Sequence, residues 1–165
     1  MNKQKQLVTI GILLALSLIF AYIEMVLPSF LPNPAFKIGL SQIPILLTYY
    51  LLDLKSAMAV STGKVIMMSL LFGYFLTYIF FVNLTGAIFS IIFIGLSKVF
   101  KFSIPMTSLM SSLGHNLGQF LVIGFTLGWN LAHIYLPVIL LFSVIFGLLI
   151  GFISKSILIK TEKRF

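Results

Sequence analysis

Long apolar runs, separated by short polar or proline-rich interruptions, set the pattern of the chain. A membrane-spanning helix needs about 20 apolar residues, and most of the runs reach about that length. The second run is shorter, so it is either re-entrant or lengthened by its flanks. The pattern predicts an all-α fold of six transmembrane helices, at about residues 7–27, 40–53, 57–72, 76–97, 104–127 and 134–158.

One interruption is longer than the others and rich in proline. Residues 28–39 contain Pro28, Pro32, Pro34 and Lys37. Proline lacks the backbone N–H that a helix interior requires, so this segment is predicted to be a loop. Its place between the first two helices makes it a candidate lid over the outer side of the bundle.

The composition places the whole chain in the membrane. Of its 165 residues, 60% are hydrophobic and 8% are charged, whereas soluble domains carry about 25% charged residues. Such a chain cannot cover a globule with polar side chains, which excludes a soluble enzyme, a disordered tail and a free nucleic-acid-binding domain. Residues 1–165 are therefore predicted to form one domain, a polytopic integral membrane protein in contact with the lipid bilayer.

Lysine and arginine residues indicate the orientation, because cytoplasmic loops carry an excess of them. With six helices and a cytoplasmic N-terminus, the outer loops hold only Lys37, and Lys64 lies within a span. The inner side then holds Lys3, Lys5, Lys55, Lys98, Lys101, Lys155, Lys160, Lys163 and Arg164. This asymmetry predicts a multi-pass protein of the cell membrane with both termini cytoplasmic.

Residues for enzyme chemistry are scarce. Cysteine is absent, and the carboxylates are Glu24, Asp53 and Glu162. The sequence therefore offers no paired-carboxylate site, no aspartate-rich magnesium motif and no Walker motif. A metal site would depend on His115 and His133, which the helix pattern places at different levels. The sequence predicts neither a catalytic site nor a metal site.

Several polar side chains are expected inside the membrane, where ionisable groups are costly and are functional candidates by default. At about 1.5 Å of rise per residue, Lys64 and His115 are expected near the midplane. With the outer loop, they predict a substrate pocket between the midplane and the outer surface. Its candidate residues are Glu24, Lys37, Lys64, Asn83, His115, Asn116 and Gln119.

The candidates also have purely structural interpretations. Glu24 meets water if it reaches the interface, and the long stem of Lys64 can carry its ammonium towards the inner surface. Asn83 is equally consistent with a hydrogen bond between helices. The imidazole and amide groups of helix five need several partners, which favours a ligand.

Small residues four positions apart mark close helix contacts. Such pairs commonly pack inside a bundle, but an outward-facing pair lets a partner helix approach. Helix one is the candidate partner interface, and its two pairs lie at different angles, so one can face a partner while the other packs internally. The pairs are Gly11/Ala15 and Ser17/Ala21 in helix one, Gly114/Gly118 in helix five and Gly147/Gly151 in helix six.

The order of motifs along nearly the whole chain resembles that of a known family. Its elements are Glu24, Pro28, Lys37-Ile-Gly-Leu-Ser-Gln, Lys64, Ser69-Leu-Leu-Phe-Gly and Gly114-His-Asn-Leu-Gly-Gln. This order resembles the Gx transporter family, which is widely labelled heptaprenyl diphosphate synthase component I. Members look like the S components of energy-coupling-factor transporters. That resemblance implies an S-component-like bundle with an outward-facing, lidded pocket, whose helix one docks on a coupling protein.

Three functions follow as hypotheses. The first is a substrate-binding subunit for uptake of a vitamin, a flavin or an isoprenoid or quinone precursor, working with an energy-coupling module. The second, which the resemblance implies, is a membrane subunit of extracellular electron transfer, with an extracellular partner and a bound flavin or quinone as candidate cofactor. The third is a non-catalytic accessory component I of heptaprenyl diphosphate synthase, since the chain lacks the aspartate-rich motifs of prenyl synthases.

A single-cysteine scan tests the orientation, and the cysteine-free chain makes the scan clean. Cysteines replacing Asn33 and Asn130 are expected to react with an impermeant thiol reagent added outside, because both positions lie in predicted outer loops. A cysteine replacing Lys160 is expected to stay unreactive. External labelling at position 160 would contradict the arrangement.

Overall fold

The computed structural model describes residues 2–26 and 39–162, without the side chains of Leu131, Tyr135 and Glu162. This part of the chain is all-helical, as predicted. Its helices are α1 (Lys3–Val26), α2 (Gln42–Leu51), α3 (Leu54–Leu71), α4 (Tyr78–Val99), α5 (Ile104–Leu127) and α6 (Trp129–Glu162). Lys37 and the predicted lid, apart from Gly39, lie outside the described residues.

α3 and α6 begin a few residues earlier than predicted, and local backbone features explain both differences. Asp53 caps α3 by accepting a hydrogen bond from the Ser56 N–H at 2.6 Å, so α3 begins at Leu54. Gly128 ends α5 with φ of +98°, a conformation that glycine adopts readily. The chain reverses there, and α6 begins directly afterwards at Trp129.

Four of the described helices are long and apolar enough to cross a membrane, which indicates a membrane protein. They are Lys3–Val26, Leu54–Leu71, Tyr78–Val99 and the segment Leu136–Thr161 within α6. α2 has only 10 residues and rises about 15 Å, half of the roughly 30 Å hydrocarbon core. α5 has 24 residues and is long enough, but serines, an imidazole and amides interrupt its apolar residues, and it is not one of these four.

Five helices form a closed ring. In order, α2 packs against α3, α3 against α4, α4 against α5, α5 against α6, and α6 against α2. α1 lies outside this ring and packs against α2 and α3. Every residue of α2 from Gln42 to Thr48 is buried. The start of α2 therefore lies in the interior of the described bundle.

The two halves of the interior differ in polarity. An apolar core joins α2 and α3 to α1, α4 and α6, with Ile45, Leu46, Val60 and Ile94 among its most buried members. α5 contributes small or polar side chains instead. Its buried residues are Pro105, Thr107, Ser108, Ser111, Gly114, Gly118, Gln119 and Gly124.

The predicted small-residue pairs of helices five and six lie in internal seams. A Cβ atom on Gly118 would lie 2.5 Å from the carbonyl oxygen of Thr85 in α4, and one on Gly151 would lie 2.5 Å from Cα of Pro105 in α5. At Gly11 of α1, by contrast, nothing lies within 4 Å of the position that a Cβ would take. Glycine at the two seams therefore permits a close approach of the helix backbones.

Gly118→Ala is expected to destabilise the bundle, because its methyl group would displace the backbone of α4. Overpacking of this kind costs about 1–3 kcal/mol. Gly11→Ala is the matched control and is expected to be neutral or slightly stabilising, since alanine favours the helix and its position is open. Thermal unfolding in one detergent compares the variants. A Gly118→Ala protein as stable as the wild type would contradict the α4–α5 seam.

Candidate functional site

A lysine is buried in the middle of α3. Lys64 is 8% exposed, and its Nζ donates a hydrogen bond to Oγ of Ser41, 3.2 Å away. Ser41 is itself buried and immediately precedes α2. A charged group away from water is costly unless polar partners surround it. The start of α2 therefore helps to accommodate the ammonium group of α3.

Two side chains of α1 reach the same point. The hydroxyl of Ser17 donates to the carbonyl oxygen of Ser41 at 2.9 Å. The carboxylate of Glu24 accepts a hydrogen bond from the backbone N–H of Leu40, and Glu24 is buried. The structure thus brings Glu24 and Lys64, two predicted site residues, to the two residues that precede α2.

A second polar group lies between α4 and α5. Nε2 of His115 and Nε2 of Gln119 lie 3.2 Å apart, and Gln119 is buried. Both side chains pack on Gly86 of α4, where a Cβ would lie 2.8 Å from the His115 ring and 3.1 Å from Cγ of Gln119. Residues four apart lie on one face of a helix, and glycine in α4 leaves the space that this face occupies.

The two polar groups lie at about the same depth. The side chain of Leu54, at the start of α3, lies against Gly95 of α4. From that level Lys64 is ten residues along α3, a rise of about 15 Å, and Gly86 is nine residues back along α4, about 14 Å. His115 packs on Gly86, so the imidazole and the Lys64 backbone share a level. α4 separates α3 from α5 in the ring.

Asn116 faces a different neighbour from the rest of the helix-five cluster. It follows His115 by one residue, a turn of about 100° around the helix, and its amide faces α6. There it donates to Oγ of Ser143 and, at 3.5 Å, to the carbonyl oxygen of Ile139. The predicted cluster is therefore divided between two helix interfaces.

Asn83 of α4 uses its amide within its own helix. Its Nδ2 donates to the carbonyl oxygen of Ile79 at 2.9 Å, and the side chain is half-buried. The sequence is consistent with two interpretations of the Asn83 amide: a hydrogen bond between helices, or a contact with a ligand. The bond that the structure shows is neither, because donor and acceptor lie one turn apart in α4.

The structure divides the two small-residue pairs of α1. Ser17 and Ala21 are buried, at 0% and 8% exposure, whereas Gly11 and Ala15 are exposed. Residues six apart lie on different faces of a helix with 3.6 residues per turn. A partner helix therefore has access to the Gly11/Ala15 side, although the predicted interface included all four residues.

Sequence reasoning missed hydroxyl groups at these interfaces. Oγ of Ser90 in α4 and Oγ of Ser111 in α5 lie 2.7 Å apart, and the hydroxyl of Tyr50 donates to Oγ1 of Thr107 at 3.0 Å. A signal was present in the sequence, because polar residues recur at every fourth position of α5 from Thr107 onwards. That spacing marks one face of the helix.

Two buried acceptors near Lys64 lack a hydrogen-bond partner within the described part of the chain: Oε1 of Gln42 and Oγ of Ser61. Gln42 directly follows Ser41, and Ser61 lies about one turn before Lys64 on α3. Buried polar groups are normally satisfied by protein or water.

The inner end of α1 is tied to the turn before α3. Nε2 of Gln6 donates to Oγ of Ser56 at 3.2 Å and to Oδ2 of Asp53 at 3.4 Å. The backbone N–H of Ser56 holds the pKa of the exposed Asp53 carboxyl below its usual range. Asp53 serves the helix cap, and residues 2–26 and 39–162 contain no group of three histidine or acidic side chains that could hold a metal ion.

The comparison with protein families finds a match over most of the chain. The model of the family described as heptaprenyl diphosphate synthase component I matches residues 13–157. This range includes Glu24, Lys64, His115 and Gln119, so the match covers the candidate site as well as the bundle. No curated protein and no solved structure match the chain.

Proposed function

The chain belongs to the heptaprenyl diphosphate synthase component I family, and on that premise we propose that it is a membrane subunit that binds a small organic molecule. Component I is a non-catalytic subunit. The family name also implies a partner, the other component of the synthase. The family description does not mention ligand binding, which is therefore our own proposal.

The observation that carries the proposal is the buried ammonium of Lys64 at the start of the short α2. An apolar bundle gains no stability from a lysine at that depth, which is why intramembrane ionisable residues are functional candidates. α2 covers about half of a hydrocarbon core, so the outer half of its place between α3 and α6 holds no described helix. We place the ligand there, beyond Ser41.

The side chains that we assign to this site favour an anionic or carbonyl-rich ligand. The ammonium of Lys64 would form charge-assisted hydrogen bonds with a phosphate, carboxylate or carbonyl oxygen. His115 and Gln119 would bind the same molecule from the α5 side, at the same depth. A flavin, a quinone precursor, another vitamin-like molecule or a prenyl phosphate carries groups of this kind.

Two further candidate residues belong to the outer side of this proposed site. Glu24 holds the N–H of Leu40, which keeps the start of α2 in place below the ligand. Lys37 and the segment 28–39 would cover the ligand from outside. The amides of Asn83 and Asn116 are assigned to packing, because the bonds that they make are to α4 and α6.

The proposal includes six spans, with both termini on the cytoplasmic side of the cell membrane. Lys55 begins α3, Lys98 ends α4, Lys101 precedes α5 and Lys160 ends α6. Because successive helices run in opposite directions, these residues meet at one end of the bundle, as the excess of cytoplasmic cations requires. α2 would make one of the six passes together with its flanking residues, because its helix alone is about half of a span. α5, with 24 residues, would make another.

An accessory role without a ligand is the second candidate, and the family name favours it. In that case the chain would anchor or stabilise the catalytic component at the membrane. Prenyl synthase activity that falls on deletion of this chain would support the accessory role. Uptake of a labelled ligand into proteoliposomes with an energy-coupling module would support the binding role.

Lys64→Met and Gln119→Leu are expected to abolish ligand binding while leaving a folded protein. Each removes a buried polar contact, which is worth about 1.5–3 kcal/mol when a charge is involved. Riboflavin, a dihydroxynaphthoate and heptaprenyl diphosphate serve as probes, and binding is read as a rise in unfolding temperature.

Asn116→Ala is the control for this series, because the amide of Asn116 faces α6. A probe is expected to raise the unfolding temperature of this variant as much as that of the wild type. A Lys64→Met protein that a probe stabilises as much as the wild type would remove Lys64 from the site. A wild-type protein that none of the probes stabilises would contradict the ligand classes proposed.

Ala15→Leu and Ala21→Leu are expected to separate partner binding from stability. Ala15 is exposed, so leucine there meets lipid in the isolated subunit but blocks a helix that docks on α1. Ala21 is buried, so leucine there destabilises the bundle. Co-purification with the other synthase component or with an energy-coupling module, beside thermal unfolding, measures both effects. If both variants still co-purify with the partner and unfold at the wild-type temperature, α1 is excluded as an interface.

A further inference from the structure

α1 is attached to the bundle by polar contacts as well as by apolar packing around Leu13. Its buried residues are Leu13, Ser17, Ala21 and Glu24, while much of its apolar surface is exposed, as at Leu7 with 69%. Three polar side chains bind other elements: Gln6 at the inner end, Ser17 in the middle and Glu24 near the outer end. These bonds connect α1 to the residues that flank α2 and to the start of α3.

Two of the three contacts end on Ser41, whose hydroxyl binds the ammonium of Lys64, and on Leu40, the residue before it. Glu24 binds the N–H of Leu40, and Ser17 binds the carbonyl oxygen of Ser41. Ser41 therefore uses its backbone for α1 and its hydroxyl for Nζ of Lys64. Both of these hydrogen bonds are shielded from water, because Ser17 is 0% and Ser41 is 6% exposed.

We propose that Ser17 and Ser41 are positioning residues that couple α1 to the ammonium of Lys64. A displacement of α1 breaks the bond between the Ser17 hydroxyl and the Ser41 carbonyl, and Ser41 then no longer fixes Nζ of Lys64. Coupling between two sites is reciprocal, so a ligand that draws the ammonium away from Ser41 also loosens α1. The inference rests on the proposed binding site, whose regulation it describes.

Ser17→Ala in the full chain tests the coupling without any ligand. Losing one buried hydrogen bond is expected to speed amide hydrogen exchange of residues 39–48 about fivefold. It is also expected to raise the rate at which a small acylating reagent modifies Lys64, read by peptide mass spectrometry, with Lys55 unchanged. Ser17→Cys keeps a donor of similar size and is expected to restore both rates in part.

Two other variants make the result specific. Ser97 is as well buried as Ser17, but its hydroxyl binds Ile94 within its own helix, so Ser97→Ala is expected to leave both rates unchanged. Ser41→Ala keeps the carbonyl that Ser17 binds but removes the hydroxyl that binds Nζ of Lys64. It is therefore expected to raise acylation of Lys64 and, because the coupling is reciprocal, to speed amide exchange in α1 as well.

The coupling is overturned if Ser17→Ala speeds exchange only within residues 3–26, or if Ser41→Ala leaves the acylation rate of Lys64 unchanged. Neither readout uses a ligand. The coupling can therefore fail while Lys64 still binds a probe, and probe binding can fail while the coupling holds.

Discussion

The burial of one ammonium group constrains how the helices of this bundle meet. Lys64 lies midway along α3, away from water, and one of its partners is the hydroxyl of Ser41. That partner is available at this depth because α2 is short and begins inside the bundle. α1 then adds its own bonds to Leu40 and Ser41. Three helices are thus placed around two residues.

The helices α4, α5 and α6 pack closely beside the contacts of Lys64 with the start of α2. Glycines bring the backbones of α4, α5 and α6 close together, and His115 and Gln119 occupy the space that Gly86 leaves. α1 is packed less extensively than these helices, because it lies outside the ring and keeps much of its apolar surface exposed. The structure thus combines a closed ring of helices with a peripheral helix that is bonded to Leu40 and Ser41 at the start of α2.

The sequence predicted the features that follow from apolar periodicity and from the cost of burying charge. The helices are present near their expected positions, and Glu24 and Lys64 both contact the start of α2. The contact residues Ser17 and Ser41 were not identified as such, because a serine costs little to bury and their pairing joins positions 24 residues apart. Asn116 was grouped with His115 by adjacency in sequence, although neighbours in a helix point about 100° apart.

Native mass spectrometry of the purified wild-type protein tests most directly whether the chain is a binding subunit. On the proposed function, the buried ammonium of Lys64 predicts that part of the population carries one discrete organic molecule with an anionic or carbonyl group. Protein that carries only phospholipid, both as purified and after incubation with the flavin, naphthoate and prenyl diphosphate probes, would contradict the account.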